Sequence, residues 1–346
     1  MARSAEGAPL GIAINCNEHL PPANFEFAHG VSKPPPVFPP EEAADWGEGW
    51  VLFNLTVGTN GVPKDVITID QMGSDAFVTA ALDSVRQWRY LAPQRNGKPA
   101  EVYGTEVDVE FAFEDTAAGK RVFDNDEFRA LYERAQSRIA DRSYDRAIGL
   151  LRDALNRRLG LYARAMGSYY LALSLMNVDK KNWPEALIHI KHATFKDGSF
   201  LDKSVLAPAM GLRVALEAQD GNYKEAICTY RHMHTRGSPL PPEAVQTGEQ
   251  SAALLDNPAP LVIPAVLHAA GSALAPMQWA HPMLRQKFSF NAVSGAVKSF
   301  RLMCTGALME GPVVPDRQWT IPPDAGSCKL LVFGSVGATF QLIEQL

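Results

Sequence analysis

Trp50-Val51-Leu52-Phe53-Asn54-Leu55-Thr56-Val57, followed by Gly58-Thr59-Asn60-Gly61, decides how the N-terminal part of this chain folds. Val51, Phe53, Leu55 and Val57 alternate with Leu52, Asn54 and Thr56, the period of a strand packed on one face. Asn60-Gly61 lies between two apolar runs, and both residues accept positive φ, so a hairpin is expected with Val66 to Asp70 returning antiparallel. After Gly73 the spacing changes. Phe77, Ala81, Val85 and Trp88 recur every three to four positions, one face of a helix whose start Ser74 or Asp75 is placed to cap. Asn96-Gly97 marks a second turn, and beyond it Thr105, Val107, Val109, Phe111 and Phe113 alternate with Glu106, Asp108, Glu110 and Glu114. The expected unit is strand, strand, helix, strand, with one helix covering a three-stranded antiparallel sheet. Its last strand is the candidate edge. An open edge accepts a further strand through main-chain hydrogen bonds, while an acidic outer face guards against self-pairing.

Several motifs frame this unit in a fixed order. They are the Pro-rich run Pro34-Pro35-Pro36 with Phe38-Pro39, the turn Gly47-Glu48-Gly49, the run Trp88-Arg89-Tyr90 expected at the helix end, and Pro93-x-x-Asn96-Gly97-Lys98-Pro99. Together they resemble the C-terminal domain of TonB proteins, the energy transducers of the Gram-negative envelope, over about 80 residues, under a quarter of the chain. The resemblance implies a periplasmic α+β domain that receives the TonB-box peptide of an outer-membrane receptor along its last strand. By position that strand is Gly104 to Phe113, with Thr105, Glu106, Val107, Asp108, Val109, Glu110 and Phe111 as docking residues. Phe38-Pro39 matches the family's Tyr-Pro element beside the sheet. The chain also departs from the family, whose members carry an N-terminal membrane helix, a long Pro-rich spacer and this domain last. Here the domain comes first and more than 200 residues follow, so force transduction is not implied.

A length of 346 residues leads to an expectation of two or three domains. No run of 18 or more apolar residues occurs, and Met1-Ala2-Arg3-Ser4-Ala5-Glu6 lacks the apolar core of a signal peptide. Either the chain is cytoplasmic or its targeting segment lies upstream. The resemblance favours the second reading, a periplasmic or envelope location with any membrane association through a segment outside this chain. Charge is uneven: residues 34–115 carry 5 Lys and Arg against 14 Asp and Glu, residues 116–256 carry 20 against 17. The acidic unit repels phosphate backbones and anionic lipid, so nucleic acid is not an expected partner.

From about residue 122 to 236 a repeat recurs. Tyr144-Asp145-Arg146-Ala147-Ile148 returns as Trp183-Pro184-Glu185-Ala186-Leu187 and as Tyr223-Lys224-Glu225-Ala226-Ile227, 39 and then 40 residues apart. An aromatic opening a helix, with Ala three positions later, lets paired helices pack closely. Helices are expected near 124–140, 144–158, 161–177, 183–195, 203–219 and 223–235, with Glu243 to Leu255 as a cap. The array resembles tetratricopeptide repeats, though its period exceeds the usual 34 and its signature is loose.

From Pro258 onward prolines and glycines punctuate short apolar runs: Leu261–Ile263, Gln286–Phe290, Ala296–Cys304, Gln318–Ile321, Lys329–Val332 and Ala338–Ile343. They read as a small antiparallel β-sandwich or barrel. Gly334-Ser335-Val336-Gly337 lacks the context of a phosphate cradle and reads as a hairpin turn. Cys304 and Cys328 suit a disulfide between neighbouring strands, with two free buried thiols as the alternative. Cys16 and Cys228 show no metal-like spacing, and Cys228 reads as helix core. His189 and His192, three apart, have no carboxylate or cysteine to complete a metal site and read as a solvated helix face. G-x-S-x-G, H-E-x-x-H and C-x-x-C do not occur in the sequence.

The fold class expected is multidomain α+β. It comprises an N-terminal extension at 1–33, a TonB-like unit at 34–115, helical hairpins at 122–256 and a β-rich unit at 260–346. The expected function is non-enzymatic binding of protein partners through the edge strand and the helical repeats, with no cofactor and no metal. The alternatives are a structural envelope scaffold that uses the TonB-like unit for packing or dimerisation, or a C-terminal β domain that binds a ligand.

Overall fold

The structure, a computed structural model, describes residue 16 and residues 25–26, 30–113, 125–268 and 279–346. Most of the expected N-terminal extension lies outside the described residues, as do Glu114 and Asp115.

The first part contains β1 (Phe25–Glu26), β2 (Gly30–Ser32), α1 (Pro40–Ala44), β3 (Gly49–Val57), β4 (Pro63–Met72), α2 (Asp75–Val85), β5 (Arg89–Tyr90), β6 (Gln94–Arg95), β7 (Lys98–Pro99) and β8 (Val102–Phe111). The sheet runs β4-β3-β8, antiparallel throughout. α2 lays Phe77, Val78, Ala81 and Val85 on Val51, Phe53, Leu55, Val57, Val109 and Phe111, all buried in one core. Each large side chain so buried contributes about 1.5–3 kcal/mol. The hairpin through Asn60-Gly61 forms, but of the two residues only Gly61 takes positive φ. Gly61 has φ +74, and a Cβ there would run into the Tyr90 carbonyl, so the position admits only glycine. Asn96 (φ 52) and Gly97 (φ 72) supply the two left-handed residues of the tight β6–β7 hairpin.

Two local expectations are corrected by the structure, and one helix was not expected. The helix stops at Val85, and Arg89-Tyr90 pair with β2 instead of ending the helix. The Trp88 indole donates to Ser84 Oγ at 3.1 Å and to the Pro34 carbonyl at 3.3 Å, which turns the chain out of the helix. Ser74 precedes α2 without a side-chain cap bond, and Asp75 supplies the negative charge in the first turn instead. The short helix α1, which sequence reading missed, begins at Pro40, a residue whose fixed φ suits a first helical position.

The middle part is helical: α3 (Asp126–Ala140), α4 (Tyr144–Leu155), α5 (Leu161–Val178), α6 (Trp183–Ala193), α7 (Lys203–Gln219), α8 (Tyr223–Thr235) and α9 (Pro242–Ala253). Tyr144, Trp183 and Tyr223 each open a helix, and Ala147, Ala186 and Ala226 are fully buried. Small buried residues at these positions let each helix pack on its chain neighbours.

The C-terminal part contains β9 (Leu261–Val266), β10 (Trp279–Pro282), β11 (Lys287–Ser294), β12 (Val297–Cys304), β13 (Ala307–Pro312), β14 (Trp319–Thr320), β15 (Cys328–Gly334) and β16 (Thr339–Gln345). Two four-stranded antiparallel sheets, β10-β15-β12-β13 and β14-β11-β16-β9, share a core of Phe288, Phe290, Phe300, Leu330, Val332, Phe340 and Leu342. Gly334–Gly337 is a turn, but it carries the chain from one sheet to the other and so is not a hairpin. Strands β10 and β13 were not expected, because Pro282, Gly311 and Pro312 read as breakers.

Cys304 and Cys328 face each other on β12 and β15, Cα atoms 4.0 Å apart, and are disulfide-bonded. Cys16 and Cys228 form a second disulfide across 212 residues, which corrects the reading of Cys228 as helix core.

Candidate strand-docking edge

β8 is an edge of the N-terminal sheet. Its inner side pairs with β3 in the order Gly49↔Phe111, Val51↔Val109 and Phe53↔Val107, and the register shifts near Gly104, a left-handed glycine with φ +67. A bulge of this kind bends a strand and twists its edge. Val109 and Phe111 are buried under α2, Thr105, Glu106, Val107 and Glu110 are half-buried, and Asp108 is exposed. The candidate docking residues therefore lie on one strand, apolar toward α2 and acidic on the other face.

The outer side of β8 is occupied at one end. The Tyr103 N–H donates to the Thr305 carbonyl at 3.3 Å. Arg95 Nη1 donates to the Gly306 carbonyl at 3.3 Å and pairs with Asp324. This contact is the tip of the β12–β13 hairpin, directly beyond the Cys304–Cys328 disulfide. From Thr105 to Phe111 no strand pairs with the outer side of β8 among the described residues.

The acidic face meets lysines from elsewhere in the chain. Lys196 Nζ lies 3.0 Å from Asp108 Oδ2 and 2.7 Å from Glu110 Oε2, and Lys329 pairs with Glu106. Burial pulls the Lys196 ammonium pKa down, but the two carboxylates reverse this and hold it above the usual lysine range. His192, expected on a solvated face, instead places Nε2 2.9 Å from Asp70 Oδ1 of β4 and meets Trp50 edge-on at 5.4 Å. Trp50 stacks on Phe195 at 4.0 Å, with Met72 and Leu161 in the same cluster. His189 is half-buried beside His192 and Arg152, with Nε2 3.8 Å from Glu185 Oε1, and desolvation pushes its pKa down to about 3.

The other motif residues hold the fold together. Phe38 stacks on Phe113 at 4.9 Å and meets Phe77 and Phe111 edge-on, and Pro39 is buried ahead of α1. Trp88 fastens the Pro34 segment, Arg89 is exposed and donates to the Trp88 carbonyl at 2.7 Å, and the Tyr90 N–H donates to the Gly61 carbonyl at 2.9 Å. Burial pushes the Tyr90 phenol up to about 12. Sequence reading missed the part played by Glu48. This buried carboxylate accepts the Phe113 N–H at 2.8 Å and the Leu161 N–H at 2.7 Å, tying the end of the edge strand to the start of α5. The Gly47-Glu48-Gly49 turn was the available signal, since an acid between two glycines sits where backbone N–H groups come close.

Residues 34–113 match the family of Gram-negative bacterial TonB protein C-terminal domains, so this part of the chain is TonB-like. Among solved structures, the solution NMR structure of the Pseudomonas aeruginosa TonB C-terminal domain is similar at 21% identity. The match covers 27% of this chain and 89% of that one, with a TM-score of 0.22. No curated protein matches the chain.

Proposed function

We propose that this protein is a non-enzymatic adaptor of the Gram-negative periplasm or cell envelope that receives a peptide strand along β8 and is linked to TonB-dependent transport. The observation that carries this reading is the outer edge of β8, unpaired from Thr105 to Phe111 among the described residues, within a TonB-like domain. Unpaired strand donors and acceptors are the template for β-augmentation. The hairpin tip at Thr305–Gly306 closes one end of the edge, leaving a window of seven residues. On this reading the docked strand is short. Its side chains alternate between the half-buried Val107 side and the side of exposed Asp108.

The chain is organised, on the same reading, as units at 34–115, 122–256 and 260–346. The middle unit is a set of tetratricopeptide-like hairpins offering a second protein-binding surface. Among the described residues no helix is long and apolar enough to cross a membrane.

The test is titration of the isotopically labelled protein with a synthetic TonB-box peptide from an outer-membrane receptor. Amide shifts concentrated at Thr105–Phe111, and lost in Val107→Pro, are the expected result. Shifts elsewhere, or none at millimolar peptide, sink the reading. A second reading, in which the edge serves packing within the chain, is favoured by the Tyr103–Thr305 contact. It predicts edge amides that stay protected from exchange without any peptide.

A further inference from the structure

The short helix α1 ends on a tryptophan held in the conformation of a glycine. The Trp46 N–H donates to the Ala43 carbonyl at 3.4 Å and the Gly47 N–H to the Glu42 carbonyl at 2.9 Å, the paired bonds that close a helix around one left-handed residue. That residue is Trp46, with φ 56. Glycine is the usual occupant, because a Cβ in this region crowds the following carbonyl oxygen. Burial does not offset the strain. Trp46 is 63% exposed, whereas Trp50, Trp88, Trp183, Trp279 and Trp319 are buried or half-buried. An exposed aromatic kept in a strained conformation is the kind of outlier that marks a binding surface.

The ring stands at the open end of the β8 edge. Tyr103, at the other end, is covered by the Thr305 carbonyl, so a docked strand that outruns the window does so past Phe111. Phe113 lies there, half-buried, its N–H donating at 2.8 Å to the buried Glu48 carboxylate. Trp46 and Phe113 have ring centroids 4.9 Å apart, and Phe38 stacks on Phe113 at the same separation. Glu42 and Asp45 on the same turn are both paired with Arg158, which leaves aromatic area as the contact on offer.

We propose that Trp46 and Phe113 anchor the docked strand by a bulky apolar side chain, placed just beyond the residues that pair with Thr105–Phe111. The inference rests on strand docking at β8 and adds the ligand chemistry that docking alone leaves open. Main-chain ladder bonds are the same for any sequence, so choice among peptides comes from side-chain sites. A tryptophan supplies large, rigid contact area at little entropic cost, which suits it to that part. The strain at Trp46 is kept because glycine, which fits the backbone better, has no ring.

The test uses a TonB-box peptide carrying one added residue, tryptophan, leucine, serine or lysine, at its N-terminal or C-terminal end, titrated into the labelled full chain. At one end the tryptophan and leucine peptides are expected to bind roughly tenfold more tightly than the serine peptide, as partial burial of a large apolar side chain requires, with lysine no better than serine. Trp46→Gly suits the left-handed backbone and removes the ring. It is expected to keep the amide shifts at Thr105–Phe111 and to erase the preference of leucine over serine, which a variant that merely loosened the fold would leave standing. If no peptide shifts Thr105–Phe111, strand docking fails and the anchor with it. If docking occurs but the four residues bind alike at both ends, lysine binds tightest, or the preference survives Trp46→Gly, the anchor alone is overturned. Should Trp46→Gly not fold, acrylamide quenching of the native chain decides: the leucine peptide is expected to shield the exposed tryptophan and the serine peptide is not, and equal shielding overturns the proposal.

Discussion

On the α2 side of the sheet β4-β3-β8, Phe53, Leu55, Val57, Phe77 and Phe111 are fully or almost fully buried together, with no charged side chain in the cluster. On the other side Trp50, Leu52 and Met72 share the surface with Asp70, Glu106, Asp108 and Glu110, and each of these acids pairs with a lysine or histidine from elsewhere in the chain. The first face is a folding core. The second has the mixed apolar and polar make-up of an interface between parts that fold on their own. Stability of the TonB-like domain thus resides on one face, and its position on the other. The edge of β8 lies between them, so its geometry is set by the core while its surroundings are set by the docked face.

The sharpest way to break this division is to damage the core face alone. Phe53→Ala removes a fully buried ring from the central strand and is expected to cost about 3–5 kcal/mol. Denaturant unfolding followed by hydrogen exchange checks it. β3, β4, α2 and β8 are expected to lose protection together, while α3 to α5 keep theirs. Equal loss of protection in the helices would show that the two faces form one cooperative core.

Acid is expected to act on the docked face. His189 lies on α6 one turn before His192, and burial, with His192 and Arg152 near it, lowers its folded pKa to about 3 from an ordinary 6.5. Asp70 opposes this shift. A depressed folded pKa means that the unfolded chain binds the proton first, so the contribution is fully present above pH 6.5 and is lost as the pH falls toward 3. Melting midpoints between neutral pH and pH 4 are expected to fall more steeply for the native chain than for His189→Leu. Parallel slopes would show that His189 takes up its proton in the folded chain as readily as in the unfolded one.

The contrast between the faces also explains what was legible in the sequence. Period-two alternation in Trp50–Val57 and Thr105–Phe113, and the helical spacing of Phe77, Ala81 and Val85, identify which side chains share a face, and the apolar face is then necessarily the core. The repeated Tyr144, Trp183 and Tyr223 positions located helix starts for the same reason. Periodicity does not say what lies against a polar face. The pairing of Asp70 with His192, the Lys196 contacts, the Glu48 bond to Leu161 and the hairpin tip at Tyr103 all join residues more than eighty positions apart. Cys16–Cys228 was hidden likewise, since no spacing rule links cysteines separated by 212 residues.

The smallest expected effect separates charge from backbone at the docked face. Lys196 bridges Asp108 and Glu110 while 42% exposed, so solvent screens the pairs and Lys196→Met is expected to cost no more than about 1 kcal/mol. That cost is expected to shrink between about 0.05 and about 0.5 M salt, as the Debye length shortens toward the separation of exposed pairs. Lys196 also sits at φ 48, a conformation glycine adopts without the Cβ clash. Lys196→Gly therefore removes the same ammonium and relieves strain of about 1 kcal/mol, which leaves it more stable than Lys196→Met. If the glycine variant is instead the less stable of the two at every salt concentration, the lysine stem packs against Phe195 strongly enough to outweigh the strain, and the docked face is held by apolar contact more than by charge.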